Sequence, residues 1–112
     1  MSSIVNITEG YYTENNTRYV FLDGSSCTEM EKCYIALERQ LSIPNYFGRN
    51  LDALDEVLND LDWIPEAKIK IIVANMPSLL MNEIKRKDDF LEILNAATNP
   101  KIEIIYLGKT GK

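Results

Sequence analysis

The sequence has 112 residues, of which 46% are apolar or aromatic and 26% are charged, as in an ordinary single globular domain. It contains no histidine, which excludes histidine general acid–base chemistry, histidine-assisted Ser or Cys nucleophiles and histidine zinc sites. Seventeen acidic and twelve basic residues give a net charge of −5, so we expect no binding to nucleic acid or to an anionic membrane surface. A basic protein is the more natural partner.

The first seventeen residues are polar and contain several tyrosines, so we treat 1–17 as an N-terminal extension of a domain that spans 18–112. Residues 4–8 predict a short edge strand at most, and residues 14–17 predict a turn. The N-terminus has no cationic segment followed by an apolar run, and no stretch approaches the roughly 18 apolar residues of a membrane-spanning helix. We therefore expect a cytoplasmic protein.

Two apolar patterns predict the first strand and the first helix of the domain. Residues 19–22 form a compact apolar run that predicts a buried strand. Thr28 and Glu31 have the spacing of a capping box, and apolar residues then recur at helical spacing until Pro44. We therefore predict a first helix over 28–41.

The later elements follow from the same kind of pattern. Asn50 is a candidate N-cap for a second helix over about 51–61. Residues 69–74 are β-branched and almost continuously apolar, which predicts a strand covered on both faces. A third helix is predicted to begin at Ser78 and a fourth at residue 88 or 89, before a last strand over 102–107. The alternation of strands and helices favours a small parallel α/β sheet.

The two cysteines, Cys27 and Cys33, lie six positions apart at the start of the first predicted helix. That spacing corresponds to a rise of about 9 Å. A disulfide requires Cα atoms within roughly 7 Å of each other. We therefore expect two reduced thiols, with Cys33 in the core.

The segment 50–67 carries six acidic side chains and no lysine or arginine. At about 100° per residue, the acids of the second predicted helix fall on one face and its leucines on the other. Like charges four positions apart cost a helix a few tenths of a kcal/mol per pair, and nothing nearby compensates them. This face comprises Asp52, Asp55, Glu56, Asp60 and the neighbouring Asn59.

Three interpretations of this helix are open at the level of the residues. An ordinary solvated face explains many such patterns. Clustered carboxylates can also bind Mg²⁺ or act as an acid–base pair, although such sites usually recruit groups from several elements. Finally, a carboxylate face can mimic the phosphates of a nucleic acid and dock into a basic active site, with Tyr46 or Phe47 as an aromatic anchor.

The segment 43–58 reads Ile-Pro-Asn-Tyr-Phe-Gly-Arg-Asn-Leu-Asp-Ala-Leu-Asp-Glu-Val-Leu. It resembles the signature of the barstar family, which are intracellular protein inhibitors of secreted microbial ribonucleases, and the resemblance covers roughly 18–107. It implies an α/β fold in which a three-stranded parallel sheet is packed by about four helices, with room for an extra N-terminal edge strand. It also implies an inhibitory face made from the second helix and the connector before it.

The resemblance assigns roles to individual residues. Tyr46 falls at the family's interface tyrosine and Asp52 at an interface aspartate. Glu56 falls where the family has the aspartate that fills the phosphate site of the enzyme. Asp55 stands where the best-known family member has a tryptophan, and Arg49 where it has an acid. The predicted partner-binding residues are therefore Tyr46, Arg49, Asn50, Asp52, Asp55, Glu56, Asn59 and Asp60.

We therefore predict a protein that is not an enzyme, has no cofactor or metal and is a monomer when free. It is expected to block the basic active site of a guanyl-type microbial ribonuclease, as toxin-immunity proteins do. The alternative is a barstar-fold binding module whose acidic face binds another basic protein or toxin. An acidic metal-dependent enzyme is the least favoured interpretation.

Overall fold

The computed structural model describes residues 3–6, 11–44 and 48–108, with residues 3–6 described by their backbone alone. The described strands form one five-stranded sheet. β1 and β2 pair antiparallel, as do β2 and β3, whereas β3, β4 and β5 are parallel. In spatial order the strands are β1 (Ser3–Asn6), β2 (Tyr11–Glu14), β3 (Thr17–Asp23), β4 (Lys68–Ala74) and β5 (Ile102–Tyr106).

The N-terminal residues contribute two strands to this sheet. A two-residue turn joins β2 to β3, and its residues Asn15 and Asn16 have φ angles of 53° and 61°, the left-handed values that tight hairpins favour. The turn prediction is therefore confirmed. The three predicted parallel strands are present as β3, β4 and β5, and an N-terminal edge strand is present as β1. The prediction missed β2, because its polar sequence lacks the apolar alternation that identifies a strand.

Three α-helices lie within the described residues: α1 (Met30–Leu41), α2 (Leu51–Leu58) and α3 (Ile84–Ala96). They pack against one face of the sheet, where alternate strand residues such as Val20 and Ile71 join the helix leucines and Phe90 in a single core. The opposite face is open, and Phe21 is 48% exposed there. The prediction that 69–74 is covered on both faces is wrong, because only the side chains at every second position of β4 are buried.

The start of α1 differs from the prediction. Its N-cap is Glu29, whose side chain makes no capping hydrogen bond, so the capping box predicted at Thr28 and Glu31 does not form. The Met30 amide instead donates to the Glu83 carboxylate at 3.3 Å. A long-range partner has replaced the local cap.

The segment between β4 and α3 forms two short 3₁₀ turns, Met76–Ser78 and Met81–Glu83, in place of the helix predicted from Ser78. Leu80, with a left-handed φ of 56°, separates them and prevents a continuous helix. α3 then starts at Ile84, before the predicted residue 88 or 89. The prediction of about four helices is therefore wrong, since the described residues contain three.

Both cysteines are free and buried, so the prediction of two reduced thiols is confirmed. The Cys33 Sγ donates weakly to the Cys27 carbonyl oxygen at 3.8 Å. A hydrogen bond with Cys27, together with burial, raises the pKa of the Cys33 thiol and keeps it protonated. No helix in the described part of the chain combines the length and the apolar character that crossing a membrane requires.

Candidate protein-binding site

The orientation of α2 is fixed at its start and along its inner face. The Ala53 amide donates to the Asn50 Oδ1 at 2.8 Å, so the predicted N-cap is confirmed. Leu54 and Leu58 are fully buried against the core. These contacts determine which side of the short helix faces solvent.

The outer side of α2 and the turn after it carry four carboxylates that we call the acidic face: Asp52, Asp55, Glu56 and Asp60. Three of them are exposed and Asp55 is half-buried. None forms an ion pair with any residue that the structure describes. Asp52 lies in the first turn, where the helix dipole favours a negative charge, but Glu56 and Asp60 lack that compensation. With respect to the residues that the structure describes, the acidic face is therefore electrostatically uncompensated.

Glu66, in the same acidic segment, has a different environment. Its carboxylate pairs at 3.0 Å with Arg18, whose side chain is only 3% exposed. The Arg18 guanidinium also donates to the Ser42 Oγ at 3.0 Å and to the Gln40 carbonyl at 3.3 Å, and it lies 3.8 Å from the centroid of the Tyr11 ring. Arg18 thus joins β3 to the end of α1, and Glu66 is the structural acid that neutralises its charge.

Arg49 is directed away from the acidic face and towards α1. Its Nε and Nη2 donate to the two carboxylate oxygens of Glu38 at 2.6 and 2.9 Å, and its Nη1 donates to Glu31. The hydrogen bonds from Arg49 to Glu38 are the main cause that raises the pKa of the guanidinium. The cation nearest in sequence to the acidic face is therefore already neutralised by α1.

Asn59 ends α2 and connects it to the segment before β5. Its Nδ2 donates to the Asp55 carbonyl at 2.9 Å, and its Oδ1 accepts from the Thr98 amide at 2.9 Å and from the Thr98 hydroxyl at 3.0 Å. The Asn99 Nδ2 donates to the Asp60 carbonyl at 3.0 Å. These bonds fix the backbone that carries Asp60, so the Asn59 amide already has partners within the chain.

A pocket of about 200 Å³ lies between α2 and the residues that connect α1 to it, such as Ile43 and Pro44. The two acidic residues that line the pocket are Glu56 and Asp60, which lie four positions apart. The Trp63 indole also lines it and is fixed by a hydrogen bond from its Nε1 to the Leu41 carbonyl at 2.8 Å. Sequence reasoning missed this pocket, although the helical spacing of Glu56 and Asp60 indicates a shared face. Its lining residues are Ile43, Pro44, Gly48, Ala53, Glu56, Val57, Asp60 and Trp63.

Two other predictions concern aromatic anchors and metal binding. Tyr46 and Phe47 lie outside the described residues, so the role of Tyr46 in the binding site stays a prediction. Among the residues that the structure describes, no group of three or more cysteine or acidic side chains could hold a metal ion. Within the described residues, the acidic face is therefore characterised by its carboxylates and by the pocket beside them, with neither an aromatic anchor nor a metal site assigned to it.

The fold and this face define a small α/β domain that presents an uncompensated negative surface on a short, well-anchored helix. The family model described as Barstar (barnase inhibitor) matches residues 17–104, and the chain belongs to the barstar family. The match begins at the first residue of β3 and includes the whole acidic face, while β1 and β2 precede it. A search of curated proteins finds no significant match.

Proposed function

We propose that this protein inhibits a guanyl-type microbial ribonuclease by inserting its acidic face into the basic active site of the enzyme, in the cytoplasm of the cell that makes both. The observation that carries the proposal is the absence of any ion pair between the acidic face and the described residues. Repulsion among these carboxylates is unfavourable in the free protein, and a partner rich in Arg and Lys converts it into attraction.

The arrangement of the carboxylates supports a division of roles. Glu56, in the middle of the face and on the wall of the pocket, is the acid that we place where the ribonuclease binds a substrate phosphate. Asp52 and Asp60 flank it by one helical turn on either side and contribute to the negative potential that steers the basic enzyme. Because Glu56 is exposed, it reaches the partner without rearrangement of the core.

The test is inhibition of RNA cleavage, with barnase as the first probe because the family description names it. We expect cleavage to stop when one equivalent of the protein has been added, and we expect Glu56→Gln to raise the concentration required by at least about tenfold. The matched control is Glu92→Gln, the same change at an exposed glutamate of α3.

Undiminished cleavage by barnase and by the guanyl-type ribonucleases of the source organism, at any stoichiometry, would reject the proposal. Equal effects of the two variants would also reject it, because the acidic face would then have no special part in inhibition. The same ribonuclease panel therefore tests both the activity and the surface that produces it.

A second function is favoured by Arg49, which binds Glu31 and Glu38 on α1. By the resemblance, Arg49 stands where the best-known family member has an acid, so the edge of the binding face differs from the edge in that protein. This difference favours a module that binds another basic protein or toxin. Such a module would form a complex with its partner while leaving barnase-catalysed cleavage of RNA unaffected.

A further inference from the structure

The sheet has a second exposed surface on the side opposite the helices. Phe21, Ile72 and Ile105 are cross-strand neighbours in register on β3, β4 and β5. Phe21 and Leu107 are 48% and 49% exposed, and these two residues and Ile72 line a shallow depression of about 290 Å³. Ile72 and Ile105 are half-buried. Single exposed apolar side chains are ordinary, but an apolar row that continues across three strands indicates a contact surface. We call this surface the open sheet face.

A row of polar side chains lies beside the apolar row. Tyr19, Lys70 and Glu103 are in register across the same three strands. Lys70 and Glu103 are adjacent and opposite in charge, yet neither forms an ion pair with any residue that the structure describes. Each charge is therefore available to a partner that approaches this face.

The pattern is self-complementary. Consider a two-fold axis that runs along the strands and between β4 and β5. This axis places Lys70 of one copy over Glu103 of the second copy. It also places Glu103 of the first copy over Lys70 of the second, so that two ion pairs form. The same rotation places Ile72 over Ile105 of the second copy and leaves Phe21, on β3, at the margin of the contact. Stacked sheets pack about 10 Å apart with nearly aligned strands, and a symmetric dimer uses one patch on both subunits, as this arrangement requires.

We propose that the open sheet face is the interface of a homodimer. The chain has a net charge of −5, so two copies repel each other through most orientations, above all through their acidic faces. The centre of the open sheet face carries one lysine and one glutamate and is neutral, which makes it a surface through which identical copies can approach. The dimer leaves α2 on the helix side of the molecule and does not depend on the proposed function.

The open sheet face is narrow, because three strands about 4.8 Å apart cover less than the roughly 800 Å² per partner of a standard interface. We therefore expect weak, concentration-dependent association in place of the monomer expected from the sequence. Sedimentation velocity should show the average mass rising from 12.8 kDa towards twice that value as the concentration approaches about 1 mM.

The decisive variants are charge reversals, which remain on the surface and spare the core. We expect Lys70→Glu and Glu103→Lys each to weaken association by about tenfold or more, since like charges then face each other. The double variant Lys70→Glu with Glu103→Lys should restore it, because the two pairs re-form in reverse. The control is Lys85→Glu, at an exposed lysine of α3 without an ion pair among the described residues.

Circular dichroism of each variant tests whether the fold is retained. Ile72→Glu, which places a charge in the apolar row, provides a second disruption that does not rely on ion pairs. A wild-type protein that stays monomeric at about 1 mM would overturn the proposal. A dimer that survives Ile72→Glu, or that the double charge reversal fails to restore, would overturn it as well, because its interface would then lie elsewhere.

Discussion

At the scale of single residues, the same side chain takes opposite roles according to its partner. Glu56 and Glu66 lie ten positions apart in one acidic segment and look alike in the sequence. Glu66 binds the buried Arg18, which is 48 positions away, whereas Glu56 binds nothing that the structure describes. Local spacing predicts which face an acid occupies, but only the fold decides whether a cation reaches it.

Arg49 gives the first prediction. Its guanidinium bridges Glu31 and Glu38 from a backbone with a left-handed φ of 52°, so it fixes the start of α2 against α1. We expect Arg49→Gln and Glu38→Gln each to lower the melting temperature, and the double variant to lower it no further than the more harmful single change.

The control for this cycle is Lys85→Gln, which removes a cation of α3 that has no ion pair among the described residues and should leave the melting temperature unchanged. Differential scanning calorimetry on the parent, the three variants of the cycle and the control provides the measurement. Strictly additive effects of the Arg49 and Glu38 changes would show that the two side chains do not stabilise each other.

Asp23 gives a prediction about pH. Hydrogen bonds from the Asn75 amide at 2.7 Å and from Ser25 lower the pKa of the Asp23 carboxyl in the folded protein. A depressed folded pKa stabilises the protein above the unfolded value of about 3.9, and this contribution is lost as the pH falls through the folded value. The pair therefore contributes at neutral pH and not in strong acid.

Asn75→Gly tests this directly, because glycine accepts the left-handed φ of 55° at Asn75 but lacks the amide. We expect the pKa of Asp23, measured by an NMR titration, to rise towards its ordinary value. The variant should be less stable than the parent at pH 6, and the difference should shrink as the pH falls below the unfolded value of about 3.9. An unchanged pKa of Asp23 would contradict the assignment.

At the scale of elements, apolar periodicity was sufficient where an element contributes several buried side chains. It predicted β3, α1, α2, β4 and β5 close to their observed bounds. It missed β2 because Tyr11–Glu14 contains polar residues and becomes a strand through pairing with β3. It also failed to predict that one face of β4 is open. A β-branched residue such as Ile72 favours a strand whether its side chain faces the core or the solvent, so the residue type does not indicate which.

The candidate site shows the same limit. The acidic face and the Asn50 cap follow from residues that are near one another in sequence, so periodicity and capping preferences predict them. The contacts of Asn59 with Thr98 and of Arg49 with Glu38 join distant parts of the chain. No pattern within a single helix indicates such contacts.

The N-terminal hairpin provides a prediction at this scale. Tyr12 lies against Tyr19, with ring centroids 5.3 Å apart, and Tyr11 lies under Arg18. The family match begins only at Thr17, so deletion of residues 1–14 should leave a domain that still unfolds cooperatively. Loss of these contacts and of the β2–β3 pairing should cost about 1–3 kcal/mol.

Chemical denaturation of the truncated and full-length proteins measures this cost, and full-length Tyr12→Ala gives the part due to the ring contact. An unfolded truncation would mean that the hairpin is essential to the domain. Unchanged stability would mean that pairing with β2 contributes nothing to β3. A truncated domain that still folds but is less stable than the full-length protein agrees with a hairpin added to a core that folds without it.

At the scale of the whole molecule, charge is distributed unevenly between the two sides of the sheet. The helix side carries the uncompensated acidic face, while the centre of the open sheet face carries one positive and one negative side chain, Lys70 and Glu103, in cross-strand register. Long-range steering of a basic partner therefore arises mainly from the helix side. The acidic segment that carries this face also contains the structural acid Glu66, so binding and stability can be tested separately within one segment.

The last prediction compares Glu56→Gln with Glu66→Gln. If the acidic face is a binding surface, Glu56→Gln should weaken the complex with the target ribonuclease by about 2–5 kcal/mol, because a basic group of the enzyme is left buried without a partner. The stability of the free variant should stay the same or rise by a few tenths of a kcal/mol, since repulsion from Asp52 and Asp60 is relieved.

Glu66→Gln should show the opposite pattern. It leaves Arg18 buried without a full counter-charge, so stability should fall by about 1–3 kcal/mol while affinity changes little. The association rate of the parent should fall steeply as salt rises from about 0.01 to 0.5 M, and that slope should be shallower for Glu56→Gln than for Glu66→Gln. Stopped-flow association and thermal unfolding on the same samples supply both readouts. If Glu56→Gln lowers the melting temperature and leaves the affinity unchanged, Glu56 is a structural residue and the inhibitory surface lies elsewhere on the molecule.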